Sequence, residues 1–143
     1  MKTYTGIKQI KATPMARGEY HKYRGFPDMV GENPTDEGYL VEYLDSPNSN
    51  HPNHENYISW SPKDVFERSY QNTEGGMSFE AALYMMKQGY SAYRPHWGYD
   101  YLQYCEGEIR IINHPADPQD YPEASEFNIT PADFEATDWA VMS

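Results

Sequence analysis

The sequence YDYLQYCEGEIRII, residues 99–112, sets the fold class of this chain of 143 residues. Polar and apolar side chains alternate from Tyr99 to Tyr104, which is the two-residue period of a half-buried strand. Glu106-Gly107 is a tight turn, and the isoleucine-rich run 109–112 returns as a second strand. This pattern predicts a β-hairpin and therefore an antiparallel sheet.

A helix is predicted on the N-terminal side of this hairpin. Ser78 is placed to cap it, and Gly89 is a suitable residue to end it. Its apolar residues recur at i, i+3, i+4 and i+7, as on one face of a helix. They are Phe79, Ala82, Leu83 and Met86. A short strand over 90–94 and a turn over 95–98 connect the helix to the hairpin.

The C-terminal side of the hairpin begins with a predicted loop. Residues 113–127 contain three prolines and four acidic residues. Thr130-Pro131-Ala132-Asp133 then has the order of cap, proline and acid that starts a helix, and this helical turn should end near Ala136. A last strand is expected over 137–142.

The first half of the chain shows similar elements. Strands are predicted over 7–12, 39–43 and 57–60, with a polar connection or short helix over 14–20. The last two strands should form a hairpin with a long loop. Ser61-Pro62-Lys63-Asp64 predicts a helix capped by Ser61, and Val65, Phe66 and Tyr70 are its expected buried face.

Two modules follow from a break in the pattern at residues 71–76. This segment is polar and ends in Gly75-Gly76. We therefore expect a module over residues 1–70, a linker over 71–76 and a second module over 77–143. The predicted class is α+β, with antiparallel strands and a few short helices.

The composition restricts the partners of the protein. With 22 acidic and 11 basic residues, the net charge is −11, and such a surface repels DNA, RNA and anionic lipid.

Cys105 is the one cysteine, so no disulfide can form within the chain, which fits a reducing compartment. No signal peptide or membrane span is evident, so we expect a cytoplasmic protein.

Catalytic, metal and cofactor sites are not indicated by any motif. No nucleophile, base and orienting residue form a recognisable set, so we expect a protein that is not an enzyme. His51-Pro52-Asn53-His54 has two histidines three residues apart, but Pro52 prevents a helix there. We interpret this segment as a solvated loop that binds no metal.

Residues 93–101, YRPHWGYDY, concentrate aromatic rings around one arginine and one histidine. Aromatic faces stack on bases, and a guanidinium binds phosphate through a planar fork. These residue types suit a nucleotide pocket. A β-turn flanked by core aromatics is the alternative, and composition alone favours this alternative.

The second module resembles the phage Thoeris anti-defence domain of the second type. The resemblance lies in three short motifs that have the order and spacing of that family. They are Met77-Ser78-Phe79-Glu80-Ala81-Ala82-Leu83, Arg94-Pro95-His96-Trp97 and Asp133-Phe134-Glu135-Ala136-Thr137-Asp138-Trp139. The chain departs from the family after the arginine motif, where it reads Trp97-Gly98-Tyr99, and before the final acids, where it reads Phe127-Asn128.

The resemblance implies a sponge that binds cyclic ADP-ribose isomers, and in some relatives cyclic oligonucleotides, without cleaving them. It also implies a homo-oligomer, a dimer or a dimer of dimers, with pockets where subunits meet and Trp97 near a boundary. The expected location is the cytoplasm of the infected bacterial host. By the motif match, Arg94, Trp97, Asp133 and Asp138 are candidate ligand-binding residues.

Three further ligand-binding candidates follow from chemistry alone: Tyr99, Tyr101 and Asn128. They lie near the matched motifs and offer stacking surfaces and hydrogen-bonding groups. Residues 33–43 and 57–66 of the first module resemble a small phage module of unknown function, which implies no chemistry. A different hypothesis is an acidic interaction protein that blocks a nucleic-acid-binding host factor. It is supported by the net charge and by the acid-rich segment 117–126.

Overall fold

A computed structural model describes all residues, Met1–Ser143, and shows an α+β protein with four short helices and two antiparallel sheets. The chain divides into two compact units, Met1–Tyr70 and Gln71–Ser143. The fold class predicted from the hairpin pattern is therefore confirmed. None of the helices has the length and apolarity needed to cross a bilayer.

The first unit is a three-stranded sheet with two helices. Its elements in chain order are β1 (Ile10–Pro14), α1 (Arg17–Tyr23), β2 (Gly38–Tyr43), β3 (Ile58–Pro62) and α2 (Lys63–Ser69). The strands lie in the order β1-β2-β3. The hairpin predicted from 39–43 and 57–60 is confirmed as β2 and β3. Strand β1 begins three residues later than predicted, and the short helix expected near 14–20 forms as α1.

Helix α2 differs from its prediction in two respects. Pro62 stands at the N-cap position, with no side-chain cap, because β3 continues through Pro62. Ser61 therefore belongs to the strand and does not cap the helix. The helix also buries no residue: Val65 is exposed, and Phe66 instead stacks on Tyr39 of β2 with ring centroids 4.0 Å apart.

The histidine segment 51–54 is not the fully solvated loop that we predicted. The hydroxyl of Tyr23 lies 3.0 Å from Nε2 of His54, and Nδ1 of His54 lies 2.9 Å from a carboxylate oxygen of Glu42. The His51 ring stacks on Tyr23 at 4.2 Å. The hydrogen bond with His54 is the largest influence that lowers the pKa of Glu42. These contacts fasten the long β2–β3 loop to the end of α1.

The second unit is a five-stranded antiparallel sheet with two helices. Its elements are α3 (Phe79–Lys87), β4 (Ser91–Tyr93), β5 (Tyr101–Cys105), β6 (Glu108–Asn113), β7 (Glu123–Glu126), α4 (Pro131–Glu135) and β8 (Ala140–Met142). The strand order is β7-β6-β5-β4-β8. Strand β7 corrects the prediction of a continuous loop over 113–127, because four residues of that segment pair with β6. The last strand is shorter than predicted.

The hairpin that sets the fold turns where the sequence indicated. Glu106 has a φ of 51° and Gly107 a φ of 89°, the positive values that two-residue hairpin turns require. Strands β5 and β6 then pair from Tyr101 opposite Ile112 to Cys105 opposite Glu108. The alternation directs Leu102 and Ile111 towards the core, while Tyr101 and Ile112 lie on the opposite face.

The core of the second unit joins α3 to the sheet. Ser78 caps α3 by accepting a hydrogen bond from the backbone N–H of Ala81. One cluster of buried side chains forms this core: Met77, Phe79, Ala82, Met85, Met86, Ala92, Leu102 and Trp139. Leu83, which we predicted on the buried face, is only partly buried, whereas Met85, which we did not assign to that face, is buried.

The segment expected to be a linker is hydrogen-bonded to the second unit. The backbone N–H of Gly76 donates to the carbonyl of Trp139, and that of Val141 donates to the carbonyl of Thr73. Gln71 accepts a hydrogen bond from the backbone N–H of Ser78 through its side-chain oxygen. These contacts place residues 71–76 beside β8 rather than in a free connection.

Gly38 is a position in the first unit where a side chain does not fit. Gly38 of β2 pairs with Pro62 of β3. A Cβ atom at Gly38 would overlap the Ser61 carbonyl oxygen and the Trp60 ring of β3. We predict that Gly38→Ala lowers the free energy of unfolding by about 1–3 kcal/mol, as overpacking does. Urea unfolding measures the change.

Gly6→Ala is the matched control, since a Cβ at Gly6 meets no atom within 4 Å and its φ is not positive. This substitution should leave the unfolding midpoint unchanged. Equal stability of the two variants would contradict the close approach at Gly38.

Candidate functional site

Arg94 is held at the end of β4 by a tight turn. Residues Pro95–Trp97 form one turn of 3₁₀ helix, closed by a hydrogen bond from the Trp97 N–H to the Arg94 carbonyl at 3.0 Å. Pro95 suits the first position of the turn because its φ is already fixed. Gly98 ends the turn with a φ of 68°, which favours glycine. The turn thus fixes where the Arg94 side chain leaves the sheet.

The Arg94 guanidinium binds both carboxylates of the last motif. Its Nε donates to Oδ1 of Asp138 at 2.8 Å, and its second terminal nitrogen donates to the other Asp138 oxygen at 3.3 Å. Its first terminal nitrogen donates to Asp133 at 3.3 Å. Three of the five guanidinium N–H groups are therefore used within the protein. The side chain of Arg94 is only 17% exposed.

Asp133 is fixed from its other side by the start of α4. Thr130 caps this helix. The Asp133 carboxylate in turn accepts hydrogen bonds from the Thr130 hydroxyl at 2.7 Å and from the Thr130 backbone N–H at 3.2 Å. The indole N–H of Trp139 also donates to the Asp133 carbonyl, at 2.9 Å. The helical start predicted from Thr130 and Pro131 is confirmed, and it serves to position the carboxylate.

Both carboxylates are held in the ionised form. The hydrogen bond from Arg94 is the main reason why the pKa of Asp138 is lowered. Burial acts to raise the pKa of Asp133, but hydrogen bonds from Thr130 and Arg94 outweigh it and lower the pKa. The same contact with Asp138 raises the pKa of Arg94. A group held ionised is a poor general acid at neutral pH, so this arrangement suits binding better than acid catalysis.

Trp97 lies against the core beside this cluster. Its ring centroid is 5.2 Å from that of Trp139, edge to face, and 5.9 Å from that of Phe127. The ring is partly buried against α3 and the sheet. Trp97 is thus a core aromatic, as the second interpretation of this turn predicted, and it adjoins the ion-pair cluster of Arg94.

The accessible edge of the cluster is formed by Asp138 and His96. The side chain of Asp138 is 45% exposed and that of His96 is 59% exposed. Nδ1 of His96 lies 4.0 Å from Oδ2 of Asp138. Behind them, the Asp133 side chain is 14% exposed, so a ligand at this surface would meet Asp138 and His96 first.

The other three candidates are arranged differently. Tyr99 is 84% exposed, and its ring centroid lies 6.3 Å from that of His114. Tyr101 lies 5.7 Å from the same histidine ring, so these residues form a group around His114 rather than around Arg94. Asn128 is exposed, and no side-chain hydrogen bond joins it to the other candidates.

His96, His114 and Phe127 adjoin the predicted residues but were not among our candidates. His96 stands inside the Arg94–Trp97 motif, so its proximity could have been inferred from the turn. His114 is brought to Tyr101 by the β5–β6 pairing, and its N–H donates to Asp100 at 2.8 Å. The exact register of that hairpin was needed to find it. No group of three or more His, Cys, Asp or Glu is placed to hold a metal ion.

The charge of the protein is concentrated on the unit that carries this cluster. Residues 71–143 contain three basic and twelve acidic residues, a net charge of −9. Residues 1–70 contain eight basic and ten acidic residues, a net charge of −2. Arg94 therefore neutralises two carboxylates in a strongly negative environment, which favours its pairing within the protein.

We predict that the Arg94 cluster makes stability depend on pH in the acid range. A carboxylate with a lowered pKa contributes stability fully above its unfolded pKa of about 3.9, and this is lost as the pH falls through the lowered folded pKa. Asp138→Asn should therefore reduce stability at pH 7 and flatten its decline between about pH 5 and pH 2. Urea unfolding at a series of pH values gives both quantities.

The matched control is Glu135→Gln, since Glu135 is exposed on α4 and its side chain has no partner. Its pH profile should follow that of the unaltered protein. A parallel profile for Asp138→Asn would show that the Arg94 pairing contributes nothing to stability.

Comparison with known proteins found no matching protein family, no matching curated protein and no matching solved structure. What the chain does must therefore be inferred from its own residues and their geometry.

Proposed function

We propose that this chain is a phage anti-defence protein that binds a cyclic nucleotide-type immune signal and holds it without cleaving it. The ligands that fit are cyclic ADP-ribose isomers, with cyclic oligonucleotides as a related class. The protein would act in the cytoplasm of an infected bacterium. It needs no cofactor, and its negative charge disfavours DNA and RNA.

One observation supports this proposal above the others. Two motifs that resemble the anti-defence family, Arg94-x-x-Trp97 and Asp133 to Trp139, are far apart in the sequence and meet in the fold. Their meeting brings a half-exposed carboxylate, Asp138, within 4.0 Å of His96 in the aromatic turn. Each motif alone is short, and the contacts between them support a common role for the two motifs.

The chemistry of the surface suits a nucleotide-like ligand. Asp138 offers acceptors for ribose hydroxyls, and Arg94 retains two N–H groups that its carboxylates do not use. Tyr99 lies outside this cluster, in the group around His114, and presents an open ring on which a base can stack. The carboxylates are ionised and engaged by Arg94, so neither is available as the proton donor that cleavage of the ligand would need.

A second copy of the chain would complete the pocket. Helices α3 and α4 contact each other through Phe79 and Phe134 and lie with the core on one face of the sheet. The opposite face carries the partly buried Tyr101 and Ile112 on paired strands. We expect a homodimer or a dimer of dimers, with Trp97 near the boundary.

Light scattering should give at least twice the chain mass of 16.6 kDa, and a strict monomer that binds ligand tightly would contradict this arrangement.

We predict that the purified protein binds a cyclic ADP-ribose isomer and releases it intact when heated. Calorimetry measures the affinity, and mass spectrometry identifies what is released. Tyr99→Ala should weaken binding about fivefold or more, because loss of a stacking ring costs about 1–3 kcal/mol. Tyr121→Ala is the matched control, since Tyr121 is 88% exposed in the same unit. Hydrolysed product, or no binding of any cyclic nucleotide, would rule out sequestration.

A second candidate function is supported by the distribution of charge. The net charge of −9 on residues 71–143 and the acidic edge strand β7, with Glu123 and Glu126, could occupy a basic surface of a nucleic-acid-binding host factor. A pull-down from bacterial lysate tests it. Stoichiometric capture of one basic host protein, lost at high salt, would favour this function if no nucleotide is bound.

A further inference from the structure

A groove of about 370 Å³ opens in the first unit, between α1 and β3. Three of its lining residues are basic or imidazole side chains on one face of α1 and its C-cap: Arg17, His21 and Arg24. Their spacing of i, i+4 and i+7 places them in one row. Aromatic residues form much of the remaining wall. The volume lies within the range of about 300–1,000 Å³ that small-molecule sites occupy.

Arg24 is the positive charge in this groove that has no carboxylate partner. Arg17 is neutralised by Glu32 at 2.8 Å and Asp36 at 3.4 Å. Arg24 instead donates one hydrogen bond to the Tyr20 hydroxyl at 2.9 Å and lies 4.7 Å over the Phe26 ring. Stacking on a ring uses none of the guanidinium N–H groups, so Arg24 keeps donors for an anion.

His21 adds an unsatisfied polar atom to the same groove. Its Nδ1 is buried and has no hydrogen-bond partner in the protein, while its Nε2 is 3.9 Å from Glu32. A buried polar atom without a partner is costly, and native sites commonly satisfy it with water or ligand. Arg24, with its unused donors, and His21, with its unpartnered nitrogen, thus line the same groove, and Glu32 is the carboxylate that lines it with them.

The aromatic wall suits a planar ring. Tyr57 lines the groove with a ring that is 43% exposed. Trp60 is already covered by the Arg17 guanidinium at 4.6 Å, so Tyr57 offers the more open surface. Eight of the eleven basic residues lie in this unit, whose net charge is −2, so an anion is repelled far less here than at the second unit.

We propose that this groove binds a small organic phosphate with one planar ring, the chemistry of a nucleoside monophosphate. Arg24 and His21 bind the phosphate, and the ring stacks on Tyr57. Arg17, fixed by its two acids, holds Trp60 in place as the rear wall. The site lies wholly within the first unit and does not depend on the function proposed for the second.

Titration of the full-length protein with AMP tests the assignment. Binding should be detectable by calorimetry, and Arg24→Gln should weaken it about tenfold or more, because a charge-assisted hydrogen-bonding group is lost. Arg68→Gln is the matched control, since Arg68 is an exposed arginine of the same unit, on α2 and outside the groove. It should change the affinity by less than about twofold.

Two further probes separate the parts of the ligand. Adenosine should bind more weakly than AMP and be insensitive to Arg24→Gln, while inorganic phosphate should compete with AMP. Tyr57→Ala should weaken AMP but not phosphate, and this variant decides the question if Arg24→Gln fails to fold. Asp138→Asn should leave AMP binding unchanged, which separates this site from the second unit.

The proposal is overturned if AMP does not bind, or if folded Arg24→Gln and Tyr57→Ala variants both bind it as the unaltered protein does. It is also overturned if Arg68→Gln weakens AMP as much as Arg24→Gln, since the effect would then be general electrostatics. A protein that binds AMP in this way but binds no cyclic nucleotide would retain the groove and lose the function proposed for the second unit.

Discussion

The guanidinium of Arg94 joins two parts of the second unit that are distant in the sequence. It leaves the sheet at the end of β4 and binds Asp133 and Asp138, which lie 39 and 44 residues further along the chain. Through Asp133 it is connected to the start of α4, and Asp138 directly precedes the buried Trp139. This contact therefore joins the aromatic turn at the end of β4 to the start of α4 and to the accessible carboxylate beside Trp139.

The same contact divides the candidate residues into two layers. Arg94, Asp133 and Trp97 form an inner layer whose hydrogen bonds and ring contacts are made within the protein. Asp138 and His96 form an outer layer that a ligand can reach. The arginine that the sequence offers as a phosphate ligand is therefore engaged within the protein. Under the proposed function, a ligand would meet its neighbours Asp138 and His96 first.

The sequence was sufficient for features that depend on local chemistry. The hairpin, the cap at Ser78 and the helix start at Thr130 all follow from residue types at fixed spacing. It was insufficient where tertiary contacts decide. Strand β7 forms in a proline-rich segment because β6 offers an edge, and α2 buries nothing although its sequence is amphipathic. The groove beside Arg24 was not predicted, because its acids and aromatic rings come from separate segments of the chain. The spacing i, i+4, i+7 of Arg17, His21 and Arg24 is visible in the sequence.

A double-mutant cycle on Arg94 and Asp138 tests the central claim most directly. Urea unfolding of the unaltered protein, Arg94→Met, Asp138→Asn and the double variant gives the coupling free energy between the two side chains. Asp138 is 45% exposed, so solvent screening reduces the value expected for a bidentate pair, and we predict a coupling of about 1 kcal/mol. A coupling indistinguishable from zero would show that this contact does not organise the second unit.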